Sequence, residues 1–167
     1  MATIRRFEDL EVWQLAKGQC GEFYKLAAEG AFKGNYPLQD QMDRSSASVM
    51  DNIAEGFDRH TKADFRHFLV MARGSNAEFR SQLYRATGRN LISPTQFETL
   101  RTQSEQLGLK LHHFIGYLSR TPIKEKPTPS IPNQVQDDGA GYDSKPESSF
   151  PQNLPYDFFL SLPQNIA

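Results

Sequence analysis

Apolar residues recur at intervals of three and four along nearly all of residues 7–118, the period of an α-helix with one buried face. Phe7, Leu10, Trp13, Leu15, Phe23, Tyr24, Leu26 and Ala27 outline a first helix over about residues 8–28, in which Gly18 and Gly21 are weak points. Gly30, Gly34, Asn35 and Pro37 then predict a loop. A second helix is expected over about 38–57, with Met42, Ser45, Val49, Ile53, Gly56 and Phe57 on one face. Thr61 with Asp64 is a start signal for a third, which carries Phe65, Phe68, Leu69, Ala72, Phe79, Leu83 and Ala86. Ser93-Pro94-Thr95-Gln96 opens a fourth, with serine as cap, proline in the first turn and glutamine reaching back. Phe97, Leu100, Leu107, Leu111, Phe114, Ile115 and Leu118 continue it. Amphipathic helices joined by short connections predict an all-α fold, an antiparallel up-down-up-down four-helix bundle over residues 1–121.

The pattern stops at Pro122. Eight of the ten prolines lie from there on, mixed with Ser, Asn, Gln and Asp, a composition that buries too little apolar surface to offset ordering entropy. Residues 122–167 are therefore expected to be a disordered C-terminal tail. Near its end Tyr156, Phe158, Phe159, Leu160 and Leu162 cluster, which reads either as a short motif docking on a partner or as a patch collapsing on its own bundle.

Charge adds a feature that the totals hide. The chain has 19 basic and 20 acidic side chains, yet residues 1–121 are weakly basic and the tail is acidic, with three basic against six acidic groups. Arg59, Arg66, Arg73 and Arg80 recur every seven residues, close to two helical turns, and predict one cationic stripe beside the apolar face. Lys62, Arg85 and Arg89 extend it, while only Asp64 and Glu78 are acidic between residues 59 and 89. Such a stripe suits a phosphate track or one side of a charged subunit interface. Two polar rows border the core: Arg44, Ser48, Asn52 and Glu55 on helix two, and Ser75, Glu78 and Gln82 on helix three. Half-buried polar groups need partners, so these rows are expected to bond between helices or to meet other subunits.

Other chemistry fits poorly. His60, Asp64 and His67 share a helical face, but the first and third are separated by a rise of about 10 Å, too far for one metal ion. No Glu-x-x-His pair of the di-iron bundles occurs, Cys20 has no basic cluster to form a thiolate, and Gly74-Ser75 is isolated within a helix, where the glycine suits close helix approach. The aromatic residues fall at core spacing, which disfavours base stacking. No enzyme activity, metal or cofactor is expected. The absence of a leader or a long apolar run points to a soluble cytoplasmic protein without a membrane partner.

Phe7-x-x-Leu10-x-Val12-Trp13, Gln41-x-x-Arg44-Ser45-x-x-Ser48, Asn52-Ile53-Ala54-Glu55-Gly56 and Ala72-x-Gly74-Ser75-x-x-Glu78 stand in this order, and the chain resembles the four-helix-bundle proteins encoded in intervening sequences of bacterial 23S ribosomal RNA genes. That family is similar in fold to the accessory protein of diversity-generating retroelements, a pentamer that binds nucleic acid and partners a reverse transcriptase. The resemblance implies a homo-oligomer, with a pentamer favoured, and a role beside RNA or DNA. Two functions are thus expected: a non-enzymatic oligomeric bundle binding RNA, DNA or a nucleic-acid-processing partner such as a reverse transcriptase, or a structural interaction module whose arginine stripe forms the subunit interface.

Overall fold

The computed structural model describes residues 4–59 and 61–120. His60 and the tail, with its Tyr156, Phe158, Phe159, Leu160 and Leu162, lie outside the described residues. After a single 3-10 turn at Phe7–Asp9 come four helices: α1 (Glu11–Ala28), α2 (Tyr36–Asp58), α3 (Lys62–Gly88) and α4 (Pro94–Arg120). No strand occurs among the described residues, so the all-α expectation holds.

Local chemistry sets the boundaries. The Asp9 carboxylate accepts the backbone N–H groups of Arg5 at 3.1 Å and Arg6 at 3.2 Å, which ties residues 5–9 into the turn and delays α1 to Glu11. The same bonds, led by that from Arg5, hold the Asp9 carboxyl below its ordinary range. At the far end of α1, Gly30 has φ +84°, and the N–H of Ala31 returns to the carbonyl of Leu26, a Schellman closure that needs a left-handed residue. Asn90, at φ 54°, closes α3 in the same way. Pro37 sits in the first turn of α2 rather than in the preceding loop, where its missing N–H costs nothing. Both expected starts are present: the Thr61 hydroxyl accepts from the Asp64 N–H at 3.0 Å, and Ser93 and Gln96 exchange side-chain and backbone bonds.

Each helix packs on its neighbours in the chain, and α1 also packs on α4, closing a ring of four. Cross-bonds fix the direction. Cys20 meets Ser46 and Tyr24 meets Asp43; Ser45 meets Gln82 and Ser48 meets Ser75; Arg66 meets Ser119 and Arg73 meets His112. Numbers that rise on one helix fall on its partner, so these neighbours run antiparallel.

The interior is divided in two. One apolar cluster gathers Val12, Ile53, Phe65, Leu69, Leu111 and Phe114 with their neighbours, and the other gathers Phe23, Phe32, Met42, Phe79, Leu83 and Leu100. Between them each helix contributes a buried polar group: Gln19, Ser45 with Ser46, Asn76 and Ser104. The Asn76 amide donates to the Ser104 carbonyl at 2.8 Å, and the Ser104 hydroxyl donates to Asn76 Oδ1 at 3.0 Å. Ser45 bonds Gln82 Oε1 at 2.6 Å, while Gln19 Oε1 finds no partner among the described residues. These bonds offset most of the desolvation that burying amides and hydroxyls costs.

One expectation about glycine is corrected. Gly74 faces open space, with nothing within 4 Å of a notional Cβ, so it does not mediate helix approach. That role falls to Gly56, where a Cβ would stand 2.6 Å from Phe68 Cβ. The α2–α3 crossing at this end depends on its missing side chain.

Candidate nucleic-acid interface

The seven basic residues expected to share one stripe divide over three places. Arg59 does not lie on the third helix: it is the C-cap of α2, ion-paired with Glu55 and stacked over Phe68 with its guanidinium carbon 4.9 Å from the ring centroid. The seven-residue spacing runs across a helix boundary. Arg85 turns toward α2, donating to Gln41 Oε1 at 2.8 Å, and Arg89 caps the end of α3 and donates to Asn35 Oδ1 at 3.4 Å.

Lys62, Arg66, Arg73 and Arg80 remain together. Arg66 donates to the Ser119 hydroxyl and Arg73 reaches His112 Nδ1, each at 3.4 Å, so both side chains lie along the α3–α4 edge. Arg80, seven residues on, continues the row, and no hydrogen bond or ion pair among the described residues engages it. From Arg66 to Arg80 the helix rises about 21 Å. Burial, and then the charge of Arg66, push the Lys62 ammonium below its ordinary range.

Among the described residues no carboxylate pairs with the three arginines. On α4 the acidic groups are Glu98 and Glu105, and Arg101 takes both, at 2.8 and 2.6 Å. On α3 Asp64 accepts the Thr61 hydroxyl, and exposed Glu78 sits between Ser75 and Gln82 in sequence, on the side that faces α2. Several basic groups elsewhere are ion-paired, Arg44 with Asp40, Lys25 with Glu22 and Lys110 with Glu11, while Arg85 and Arg89, like Arg66 and Arg73, have neutral partners. Guanidinia held only by neutral partners, or by none, keep their charge available to an anion.

The expected polar rows are present and largely serve the bundle. Ser48 and Ser75 share a hydrogen bond of 2.9 Å, Asn52 bonds Ser48, and Gln82 bonds Ser45. Arg44 and Glu55 are exposed and engaged within α2 or with its cap. Missed from the sequence were His112 and Ser119, which build the far wall of the edge, and the Asn76–Ser104 pair behind it. The signal for that pair was available, since both interrupt an apolar repeat at a core position. Helix α2 shows the opposite polarity on its outer face, where Asp51 and Asp58 are exposed and form no ion pair among the described residues. No helix of the described residues is long and apolar enough to cross a membrane.

A family model described as 23S rRNA-intervening sequence protein matches residues 8–113, more than half of the chain. No curated protein matches it. The matched span holds the whole row from Lys62 to Arg80 and stops after His113, within α4.

Proposed function

The chain belongs to the 23S rRNA-intervening sequence protein family, and from that premise we propose that it is a non-catalytic binding protein whose α3–α4 edge takes the phosphate backbone of RNA or DNA. The observation that carries the reading is the row Arg66, Arg73 and Arg80, carried on one helix and left without a carboxylate partner among the described residues. Charge of this kind releases counterions on binding and reads phosphates rather than bases, so binding is tolerant of sequence. Assembly into a homo-oligomer, with five copies as the form the family resemblance implies, and association with a nucleic-acid-processing protein such as a reverse transcriptase belong to the same proposal.

A second reading has one supporting observation. Asp51 and Asp58 on the outer face of α2 are exposed without ion-pair partners among the described residues, so the arginine row of one copy could instead face the acidic row of the next. Substitution of Arg66, Arg73 and Arg80 by Gln separates the two. Under the phosphate reading, anisotropy titrations with a short RNA and a short DNA lose affinity alike, and the plot of log affinity against log salt flattens by about 2–3. Sedimentation of the same variant is then unchanged. Dissociation of the oligomer, with no wild-type affinity for either nucleic acid at low salt, rejects the phosphate reading and supports the interface.

A further inference from the structure

The α3–α4 edge ends where α4 hands over to the rest of the chain. Ser119, which accepts from Arg66, belongs to the last turn of α4, so the chain leaves the bundle beside the first arginine of the row. The sequence beyond α4 is complementary to that row. Asp137, Asp138, Asp143, Glu147 and Asp157, with Lys145 the one basic residue among them, precede the apolar group Phe158, Phe159, Leu160 and Leu162. The edge in turn exposes apolar surface beside its charge: Val70, between Arg66 and Arg73, is 51 % exposed, and Tyr84, one turn beyond Arg80, is 59 % exposed. On α4, Leu109 is 56 % exposed, one turn before His112.

We propose that the acidic, aromatic C-terminal segment 137–162 occupies the α3–α4 edge of its own chain and competes with nucleic acid there. As a statement about regulation it rests on the phosphate-binding reading of that edge; as a statement about docking it does not. The lengths agree. If the residues from 121 to 137 behaved as a coil, about sixteen of them would span roughly 22 Å, and the row from Arg66 to Arg80 is about 21 Å long. The carboxylates therefore reach its whole length, and the aromatic group, about twenty residues later, reaches Tyr84 and beyond. Tethering holds the segment at an effective concentration of order millimolar, enough for weak contacts to fill the site in the absence of a competitor. Because the attraction is between exposed charges, salt weakens it.

The test is made on the full chain, with the photo-reactive residue p-benzoylphenylalanine in place of Phe159. Irradiation of a mixture of isotopically heavy and light copies, followed by peptide mapping, should give cross-links within single copies to peptides containing Val70, Tyr84 or Leu109. Their yield should fall about fivefold or more at high salt, and equally when Asp137, Asp138, Asp143, Glu147 and Asp157 are changed to Asn or Gln. Cross-links elsewhere on the bundle, cross-links between heavy and light copies, or a yield unmoved by neutralisation would each overturn docking. Added RNA should displace the cross-link, and the neutralised chain should bind that RNA more tightly at low salt. RNA that binds at saturation while the cross-link persists removes the regulatory role. Edge cross-links in a protein that binds no nucleic acid would leave docking intact and reject the proposed function instead.

Discussion

At Gly56 a single hydrogen decides how close two helices come. A Cβ there would meet Phe68 Cβ, an atom fixed to the backbone that cannot swing aside. Gly56→Ala is expected to destabilise by about 1–3 kcal/mol through overpacking, more than the helix propensity it gains. Gly74→Ala, in open space on α3, should instead stabilise by about 0.5–1 kcal/mol. Urea midpoints of the two variants should move in opposite directions. Tyr24 offers a test against pH. Its hydroxyl donates to Asp43 at 2.6 Å, and that bond, ahead of burial, raises the phenol above its ordinary range. The native state therefore keeps a proton that the unfolded chain releases near pH 10. The stability so gained is full below that pH and is lost as pH climbs through the native value. Unfolding midpoints measured from pH 8 to 11 should decline more steeply for wild type than for Tyr24→Phe.

At the scale of elements the sequence was most legible where the physics is local. The caps at Thr61 and Ser93 depend on residues three apart, and the apolar repeats depend on residues three and four apart, so both were visible in order. Arg59 was misplaced because a seven-residue spacing carries no information about the break between α2, which ends at Asp58, and α3, which starts at Lys62. Gly74 and Gly56 look alike in sequence, since direction around a helix matters only once a neighbour is in place. The polar layer left a sequence signal whose meaning was not local: Asn76 and Ser104 visibly interrupt an apolar pattern, but only their reciprocal bonds show them to be partners. Asn76→Ala should cost about 1–3 kcal/mol by leaving Ser104 without its amide partner. With Ser104→Ala the two effects should fall short of additive, with a coupling of about 0.5–3 kcal/mol in a double-mutant cycle. Full additivity would show that the pair contributes packing alone.

For the whole molecule, the arginine row is expected to add little to stability, since its only hydrogen bonds among the described residues are two long ones to α4. Changing Arg66, Arg73 and Arg80 to Gln should leave the unfolding free energy within about 0.5 kcal/mol of wild type, because no ion pair among the described residues is lost and mutual repulsion is relieved. A loss well beyond that would mean the row serves stability after all. On the expected outcome the row proposed to bind and the residues that hold the fold together would be separate parts of the same helix, and a change to one would be readable without the other. The buried layer of Gln19, Ser45, Ser46, Asn76 and Ser104 has a consequence of another kind, for how such a chain can change length in evolution. Residues added to one helix on either side of that layer would shift its polar rung against the other three and strand unpaired amides in an apolar cluster. Additions to the connections at 29–35, 59–61 or 89–93 leave every rung in place and cost only a little loop entropy. Among relatives of this protein, insertions and deletions should therefore collect in the turns, and a helix that lengthens should do so at its ends or in step with its neighbours.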